Sequence, residues 1–400
     1  MSNRNLTGRW INPAVVNKEI WPGPDGYPAT YSENATWIRE ALLRRTGKNK
    51  LITTWTTGGF AEPADGNFTM ISTSSDSGIC WKNAGRFQHP VKGLFTTELF
   101  SPCEGEIHAF LQTYSFGEWM TGLRSYRSIS TDHGTTWSTP NSIPGGIDNA
   151  WVNRGIILTS GRWLLPVSWA EHCGSEWGPP SNGQNFRACI IGKQKGKQLE
   201  MPFGVDSMSM YTEGICWANR NHSYCCGVII SDDGGKSFRR CGYLKSRDSG
   251  HLIEPRIVEA ESGHIIMLAR SMDEANLWRS DSYDYGETWS EIKPTNIPNP
   301  SAKVNILKSS DGSIFLLHNP TGGKYVNGNW VMNPRTPLSL WISHDNMISW
   351  QTKIDLVRDD TPGVALNYPD GYLDEELGII DFVWEDTYSV FRMQVPMDIK

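Results

Sequence analysis

The sequence contains no apolar run of the 18 or more residues that a transmembrane helix needs. Its first seven residues are polar and differ from the basic and then apolar start of a secretory signal peptide. As written, the sequence therefore predicts a cytoplasmic protein without a membrane partner. A secreted or periplasmic location would apply if a signal had been removed from the sequence.

Cofactor and metal motifs are also missing. The eight cysteines form no C-x-x-C pair and no zinc-like spacing, so we expect no metal site. There is no phosphate-binding loop, dinucleotide fingerprint or HExxH motif, and we expect no cofactor. A formal net charge of −6 without a long basic stretch argues against a nucleic-acid partner. The sequence leaves the oligomeric state open.

Turn-forming and aromatic residues are abundant, with 39 glycines, 23 prolines and 18 tryptophans in 400 residues. Short strand-like segments recur at intervals of about 8–12 residues, separated by Gly, Asn, Asp or Pro. The most helix-like segment, around residues 34–45, is short. This pattern is typical of an all-β protein built as a sandwich, a barrel or a propeller.

One pattern, Ser-x-Asp-x-Gly-x-x-Trp/Phe, recurs along the chain. Its copies begin at Ser74, Ser130, Ser231, Ser282 and Ser343. The last copy keeps the Asp and the Trp but has Met347 in place of the Gly. In such a segment the Ser or Asp side chain holds a tight turn, the Gly permits a positive φ, and the aromatic residue packs into a core. Each copy is therefore predicted to be a structural hairpin corner without a catalytic part.

The spacing of the corners predicts the architecture. They lie 51 to 61 residues apart, except between Ser130 and Ser231, where the step is 101 residues. Units of this size with one corner each favour four-stranded antiparallel propeller blades. The long step predicts a unit without the motif near residues 180–190, and the chain after Trp350 supplies a final segment. We predict a six-bladed β-propeller over residues 1–400 as a single domain, whose last blade is completed by the N-terminal strand around Trp10.

Four further segments make the chain resemble the sialidase family, in its bacterial branch with bacterial-neuraminidase (Asp-box) repeats. The first is Glu254-Pro-Arg-Ile-Val-Glu-Ala, and the second is the strand that ends in Arg270. The third begins at Arg335, just ahead of a corner, and the fourth is Leu366-Asn-Tyr368-Pro. These segments follow the order of the family, and the resemblance covers most of the chain.

The resemblance implies a retaining exo-glycosidase for a terminal sugar that carries a carboxylate. It makes Tyr368 the nucleophile and Glu254 the base that takes its proton. A neutral phenol approaches an anionic sugar without repulsion, and with a pKa of about 10 it needs such a base. Arg270 and Arg335 would hold the substrate carboxylate, because the planar guanidinium binds both of its oxygens.

The N-terminal third departs from the family pattern. Ile38 takes the place of the first of three carboxylate-binding arginines, and Arg39 lies one position away, where only a bulge would restore its direction. Asp65 is the expected acid/base, and Glu62 is its substitute. The remaining candidates for substrate binding are Arg154 and His251.

Two alternative functions stay open. One is a polysaccharide lyase, or another hydrolase, acting on glycans that contain uronic acids. Arginines would then neutralise the uronate carboxylate, and Tyr368, His251 or His172 would abstract the C5 proton. The other is a carbohydrate-binding propeller without catalysis. The predicted partner is an acidic oligosaccharide or glycan.

Overall fold

The computed structural model describes residues 9–11, 38–58, 66–114, 123–172, 222–246, 252–272, 274–326, 329–332, 334–360, 365–385 and 390–399. Within these ranges the regular elements are 27 β-strands, and no described residue is helical. No described segment therefore forms a helix that could cross a membrane.

After the first strand, β1 (Arg9–Ile11), the chain builds six antiparallel sheets in succession, the blades. Blade one contains β2 (Arg39–Gly47), β3 (Lys50–Thr57), β4 (Phe68–Ser74) and β5 (Lys82–Gln88). Blade two contains β6 (Gly93–Cys103), β7 (Glu106–Tyr114), β8 (Arg124–Ser130) and β9 (Asn141–Ser142). Blade three contains β10 (Trp151–Val152), β11 (Ile156–Ile157), β12 (Trp163–His172), β13 (His222–Ser231) and β14 (Arg239–Leu244), with β10 and β11 both paired to β12.

The second half of the chain repeats this plan. Blade four contains β15 (Leu252–Glu261), β16 (His264–Ser271), β17 (Asn276–Ser282) and β18 (Lys293–Pro298). Blade five contains β19 (Asn305–Lys308), β20 (Ile314–His318), β23 (Leu338–Ser343) and β24 (Thr352–Val357), with the hairpin β21 (Gly323–Val326) and β22 (Asn329–Met332) inserted after β20. Blade six contains β25 (Asn367–Asp374), β26 (Ile379–Glu385) and β27 (Val390–Pro396).

The N-terminal strand closes the ring, as predicted. β1 pairs antiparallel with β27, with Trp10 opposite Phe391, and becomes the outer strand of blade six. The first and last described strands of the chain therefore share one sheet. This pairing leaves blade six with four strands, and the six-bladed β-propeller is confirmed.

The five predicted corners join the third and fourth strands of blades one to five. In the second corner, Ser130 Oγ donates to Asp132 Oδ1 at 2.8 Å, and the Gly134 amide donates to Ser130 Oγ at 2.9 Å. Trp137 Nε1 donates to the Gly134 carbonyl at 3.0 Å, which folds the ring back against the turn. In the fifth corner Met347 takes the Gly position with a φ of 61° and donates its amide in the same way.

The described strands between the second and third corners belong to blades two and three and form no additional blade, so that prediction was wrong. Blades two and three are neighbours, because Phe100 and Phe110 share a hydrophobic cluster with Trp163 and Phe238. β12 and β13 pair with each other directly, although 49 residues separate them in the chain. The extra length of the step is therefore an insertion within blade three, and the chain after Trp350 supplies the sixth blade.

The segment around residues 34–45, which looked most helix-like, forms strand β2 from Arg39 onward. This strand is buried on both faces, which explains its continuous apolar run. Ala41 and Leu43 belong to a cluster that includes Val383 and Val390 of blade six. Leu42 belongs to the cluster shared with blade two. The hydrophobic cores thus lie between adjacent blades.

Candidate active site

The first strands of the blades surround the centre of the propeller. β2 contacts both β6 and β25, and β19 contacts both β15 and β25. Side chains on these strands come from positions that are far apart in sequence and meet at the centre. The predicted site residues are therefore expected at this place in the fold.

Three of these inner strands each contain a β-bulge, and the central residue of each bulge has a left-handed backbone conformation. Glu40 in β2 has a φ of 59°, Glu254 in β15 a φ of 50° and Tyr368 in β25 a φ of 48°. The strand register shifts at each of them. A non-glycine residue in this conformation costs about 1–3 kcal/mol, and such strain concentrates at functional sites. The bulges bring all three side chains into one cluster of charged groups.

Tyr368 is the centre of this cluster and is 8% exposed. Three cationic groups lie near its ring. The distances to the ring centroid are 5.0 Å from Arg335 Cζ, 5.4 Å from Lys303 Nζ and 5.9 Å from Arg270 Cζ. Arg270 Nη1 also lies 3.5 Å from Tyr368 Oη, at hydrogen-bonding distance. We call Tyr368, these three cations, Glu40 and Glu254 the Tyr368 cluster.

Glu254 is 2% exposed and is held by charged neighbours. Arg270 Nη1 donates to its Oε2, and Lys303 Nζ lies 3.7 Å from its Oε1. Its backbone amide donates to Ser168 Oγ at 2.9 Å, which fixes the bulge. Burial opposes the charge of Arg270, but Glu254 and Tyr368 outweigh burial and raise the pKa of Arg270. The same guanidinium nitrogen thus contacts both the predicted base and the predicted nucleophile.

Arg335 is positioned by the backbone and by one amide. Its Nη1 donates to Asn367 Oδ1 at 2.8 Å, and its Nη2 donates to the Ser301 carbonyl at 2.8 Å. Both partners are neutral, so the positive charge of Arg335 is not matched by a carboxylate in these contacts. The side chain is half-buried. Such a cation can bind an incoming anion without first losing an ion pair.

The sequence analysis missed two members of the cluster, Glu40 and Lys303. They form a buried ion pair, in which Lys303 Nζ contacts Glu40 Oε2. Burial is the largest influence on Glu40 and raises its pKa, although Lys303 opposes that effect. Burial would lower the pKa of Lys303, but Glu40 and Glu254 outweigh burial and raise it. The available signal was weak: Glu40 begins the apolar part of β2, and no motif surrounds Lys303.

The bulge that would redirect Arg39 is present in β2, but the residue at its left-handed position is Glu40. Arg39 Nη1 donates to the carbonyl of Ile38 at 3.0 Å, and Ile38 is packed in a hydrophobic cluster. The predicted residues Asp65, Glu62 and His251 lie outside the described residues, as does the side chain of His172.

A second group of charges, the Asp370 network, also lies among the inner strands. Asp370 is contacted by Arg44 and by Arg154 Nη1, the latter at 3.3 Å from Oδ2. Glu98 pairs with Arg44 and with Arg256 Nη1, the latter at 3.1 Å. Burial would raise the pKa of Asp370, but the arginines outweigh burial and lower it. The predicted substrate residue Arg154 is therefore tied to Asp370, and burial together with Arg44 lowers its pKa to about 10.

Comparison with known proteins identifies the family of the chain. A family model described as a BNR repeat-like domain matches residues 51–381. The sialidase of Vibrio cholerae is 30% identical over 199 residues, which cover 43% of this chain and 24% of that protein. The sialidase of Clostridium perfringens is 33% identical over 91 residues, which cover 20% of this chain and 23% of that protein. The aligned part is thus about a quarter of the length of these curated relatives.

Solved structures show the same fold. The NanB sialidase of Streptococcus pneumoniae superimposes with a TM-score of 0.60 at 12% sequence identity, covering 92% of this chain and 70% of that one. At this identity the similarity concerns the fold alone.

Proposed function

The chain belongs to the family of BNR repeat-like domains in the sialidase superfamily, and from this premise we propose that it is a retaining exo-glycosidase of sialidase type acting on a terminal sugar with a carboxylate. The observation that carries the proposal is the convergence of Glu254, Arg270 and Arg335 on Tyr368. These four residues come from three blades, so local structure alone does not explain why their side chains meet.

The two arginines supply the binding step. The guanidinium carbons of Arg270 and Arg335 both lie within 6 Å of the Tyr368 ring centroid. A substrate carboxylate bound between them would place the neighbouring anomeric carbon near Tyr368 Oη. Hydrogen bonds to charged groups contribute about 1.5–3 kcal/mol each, which suits a clamp that positions a substrate.

The chemical step uses the phenol. Tyr368 Oη attacks the anomeric carbon, and Glu254 accepts the proton that the phenol loses. The bond to the leaving oxygen breaks, and Asp65 gives that oxygen a proton. Water then attacks the anomeric carbon, Asp65 accepts a proton from the water, and Glu254 returns a proton to the departing tyrosine. The two displacements retain the configuration of the sugar.

Replacing the phenol oxygen tests the proposal. We expect Tyr368→Phe to lower kcat for a fluorogenic sialoside, 4-methylumbelliferyl sialic acid, by more than about 10³-fold, because the nucleophile is lost while the ring remains. Tyr372→Phe is the matched control, since Tyr372 lies on the same strand and its hydroxyl donates to Asp381 at 3.0 Å. Its turnover should stay within about twofold of the wild type.

The proposal would be wrong if the Tyr368→Phe protein kept its turnover, or if the folded wild type released no fluorophore. Arg335→Ala adds an independent reading, because loss of the clamp should raise KM or lower kcat/KM without unfolding the protein. Circular dichroism of each variant separates loss of chemistry from loss of structure.

A further inference from the structure

Three cationic side chains lie near Tyr368. The resemblance implies three carboxylate-binding arginines, and the sequence supplies two of them, Arg270 and Arg335. The third cation is Lys303, whose Nζ lies 5.4 Å from the Tyr368 ring centroid, between the values for Arg335 and Arg270. Arg39, the sequence candidate for this place, donates its Nη1 to the carbonyl of Ile38, and the described cation contacts of the Tyr368 ring come from Arg270, Lys303 and Arg335. Among the described residues, Lys303 is therefore the third cation of the Tyr368 cluster.

We infer that Lys303 completes the carboxylate-binding site as its third cation, and that Glu40 holds Lys303 until the carboxylate of the substrate replaces Glu40. The inference rests on the proposed function, because it assumes that the Tyr368 cluster binds an acidic sugar. It adds a specificity-determining residue, Lys303, and a positioning residue, Glu40.

The surroundings of Lys303 support this role. The side chain is buried, and its Nζ contacts Glu40 Oε2 and lies 3.7 Å from Glu254 Oε1. The aromatic rings of Tyr368 and Trp151 lie 5.4 and 5.8 Å from the same nitrogen. A lysine ammonium is a point charge on a flexible stem, so it can move from one carboxylate to another without a fixed bidentate geometry. Lys303 can thus exchange one carboxylate for another.

The charges of the cluster favour such an exchange. Arg270, Lys303 and Arg335 carry three positive charges, and Glu40 and Glu254 carry two negative charges when both are ionised. The surplus positive charge is one, and it becomes two when Glu40 takes up a proton. Protonation of Glu40 therefore removes the negative charge that competes with the substrate for Lys303, and an added carboxylate nearby in turn favours the protonated form of Glu40. Binding of the anion should be accompanied by proton uptake at Glu40.

Other charged groups near the ion pair also influence the pKa of Glu40. Glu254 and Arg256 on β15 and Arg270 on β16 interact electrostatically with Glu40 or Lys303. Tyr368 on β25 lies near Lys303, and Arg335, before β23, lies against the same ring. Burial already raises the pKa of Glu40, so that its protonation lies closer to neutral pH than that of an exposed glutamate. The carboxylate of a sialic acid stays ionised over that range.

Calorimetry with matched anionic and neutral probes tests the inference. We would titrate the full-length wild type with N-acetylneuraminic acid and with its C1 amide, from about pH 8 to about pH 5. Affinity for the acid should rise as the pH falls, and buffers of different ionisation enthalpy should show proton uptake on binding. Affinity for the amide should not change in this way.

Two variants separate the role of Glu40 from the role of Lys303. Glu40→Gln should bind the acid about tenfold more tightly than the wild type at about pH 8 and should show little dependence on pH. The double variant Glu40→Gln with Lys303→Met leaves neither partner unpaired, and it should bind the acid at least about tenfold more weakly than Glu40→Gln. Lys308→Met is the control for removing a lysine, because Lys308 Nζ donates to the carbonyls of Glu259 and Ala260 away from the cluster.

The opposite results would overturn the inference. A purely structural ion pair predicts that Glu40→Gln weakens binding of the acid, and that the double variant binds it as the single variant does. Failure of the wild type to bind the acid would also overturn it. These readings come from binding alone, so they remain distinct from the turnover of Tyr368→Phe that tests the proposed function.

Discussion

The left-handed backbone conformation of three residues gives the Tyr368 cluster its geometry. Glu40, Glu254 and Tyr368 each take a positive φ within a bulge of an inner strand. A bulge places two residues opposite one and re-aims the side chain of the strand. The strained conformation persists because the flanking strand pairs are extensive. The cluster is therefore held in place before a substrate arrives.

A buried histidine in blade five is expected to make the stability of the protein depend on pH. His318 on β20 lies against the edge of Trp341, with ring centroids 4.5 Å apart. Burial, with a smaller effect from Lys353, lowers its pKa to about 3. The unfolded chain binds this proton near pH 6.5, so between that pH and about 3 the unfolded state holds more protons than the folded state. Stability should therefore fall as the pH falls through this window.

Replacement of the imidazole tests that expectation. The wild type should lose up to about 1.4 kcal/mol of unfolding free energy per pH unit through His318 as the pH falls below about 6. His318→Phe keeps a ring against Trp341 but cannot titrate, so its loss per pH unit should be smaller. Urea unfolding at several pH values measures both slopes. Equal slopes in the two proteins would show that His318 does not contribute.

Among the elements, the hairpin corners depend on glycine for two separable reasons. Gly234 and Gly235 follow each other in the third corner, with φ values of 70° and 80°. A Cβ on Gly234 would meet nothing within 4 Å, whereas a Cβ on Gly235 would lie 2.3 Å from Cζ3 of Trp163. The first position needs glycine only for its backbone. The second also needs it because a tryptophan ring of the same blade occupies the space.

The two glycines form a matched pair of substitutions. We expect Gly234→Ala to lower the free energy of unfolding by about 1 kcal/mol, the cost of placing a Cβ in left-handed backbone. Gly235→Ala should cost about 2–4 kcal/mol, since displacement of the Trp163 ring is added. Urea denaturation of the two variants gives the difference directly. A smaller loss for Gly235→Ala than for Gly234→Ala would contradict the packing argument.

Blade three shows why the spacing of corners is an imperfect count of blades. An insertion between β12 and β13 lengthens the chain by 49 residues, yet Trp163 still pairs with Ser231 and Trp169 with Cys225. A long connection between two paired strands adds little free-energy cost and leaves their register unchanged. Each corner therefore marks one blade reliably, while the distance between corners does not.

On the scale of the whole molecule, β1 completes blade six, where the N-terminal and C-terminal strands share one sheet. This strand of three residues covers the outer edge of β27. We expect removal of residues 1–11 to lower the free energy of unfolding by about 1 kcal/mol for each backbone hydrogen bond lost and to increase association through the exposed edge. Removal of residues 1–8 keeps β1 and is the control. Thermal unfolding and light scattering should distinguish them, and identical behaviour would show that β1 is dispensable.

The sequence alone determined the features that are encoded over short distances. A corner such as Ser130 to Trp137 makes its hydrogen bonds within eight residues, so a repeated pattern was enough to predict all five corners. The number of six blades is confirmed as well, although the additional unit expected between the second and third corners was wrong. The pairing of the strand around Trp10 with the last blade followed from the same count. Resemblance in local segments also predicted roles for Glu254 and Tyr368, and both residues contact Arg270 in the structure.

Only the tertiary structure decided which charges meet at the centre. Glu40 and Lys303 are 263 positions apart, and neither lies in a recognisable motif. A bulge changes the direction of a side chain, since side chains alternate along a strand, and in β2 the left-handed position of the bulge is Glu40, whose carboxylate meets Lys303. The buried cluster joins side chains from different blades, and ring closure is what brings those blades to a common centre.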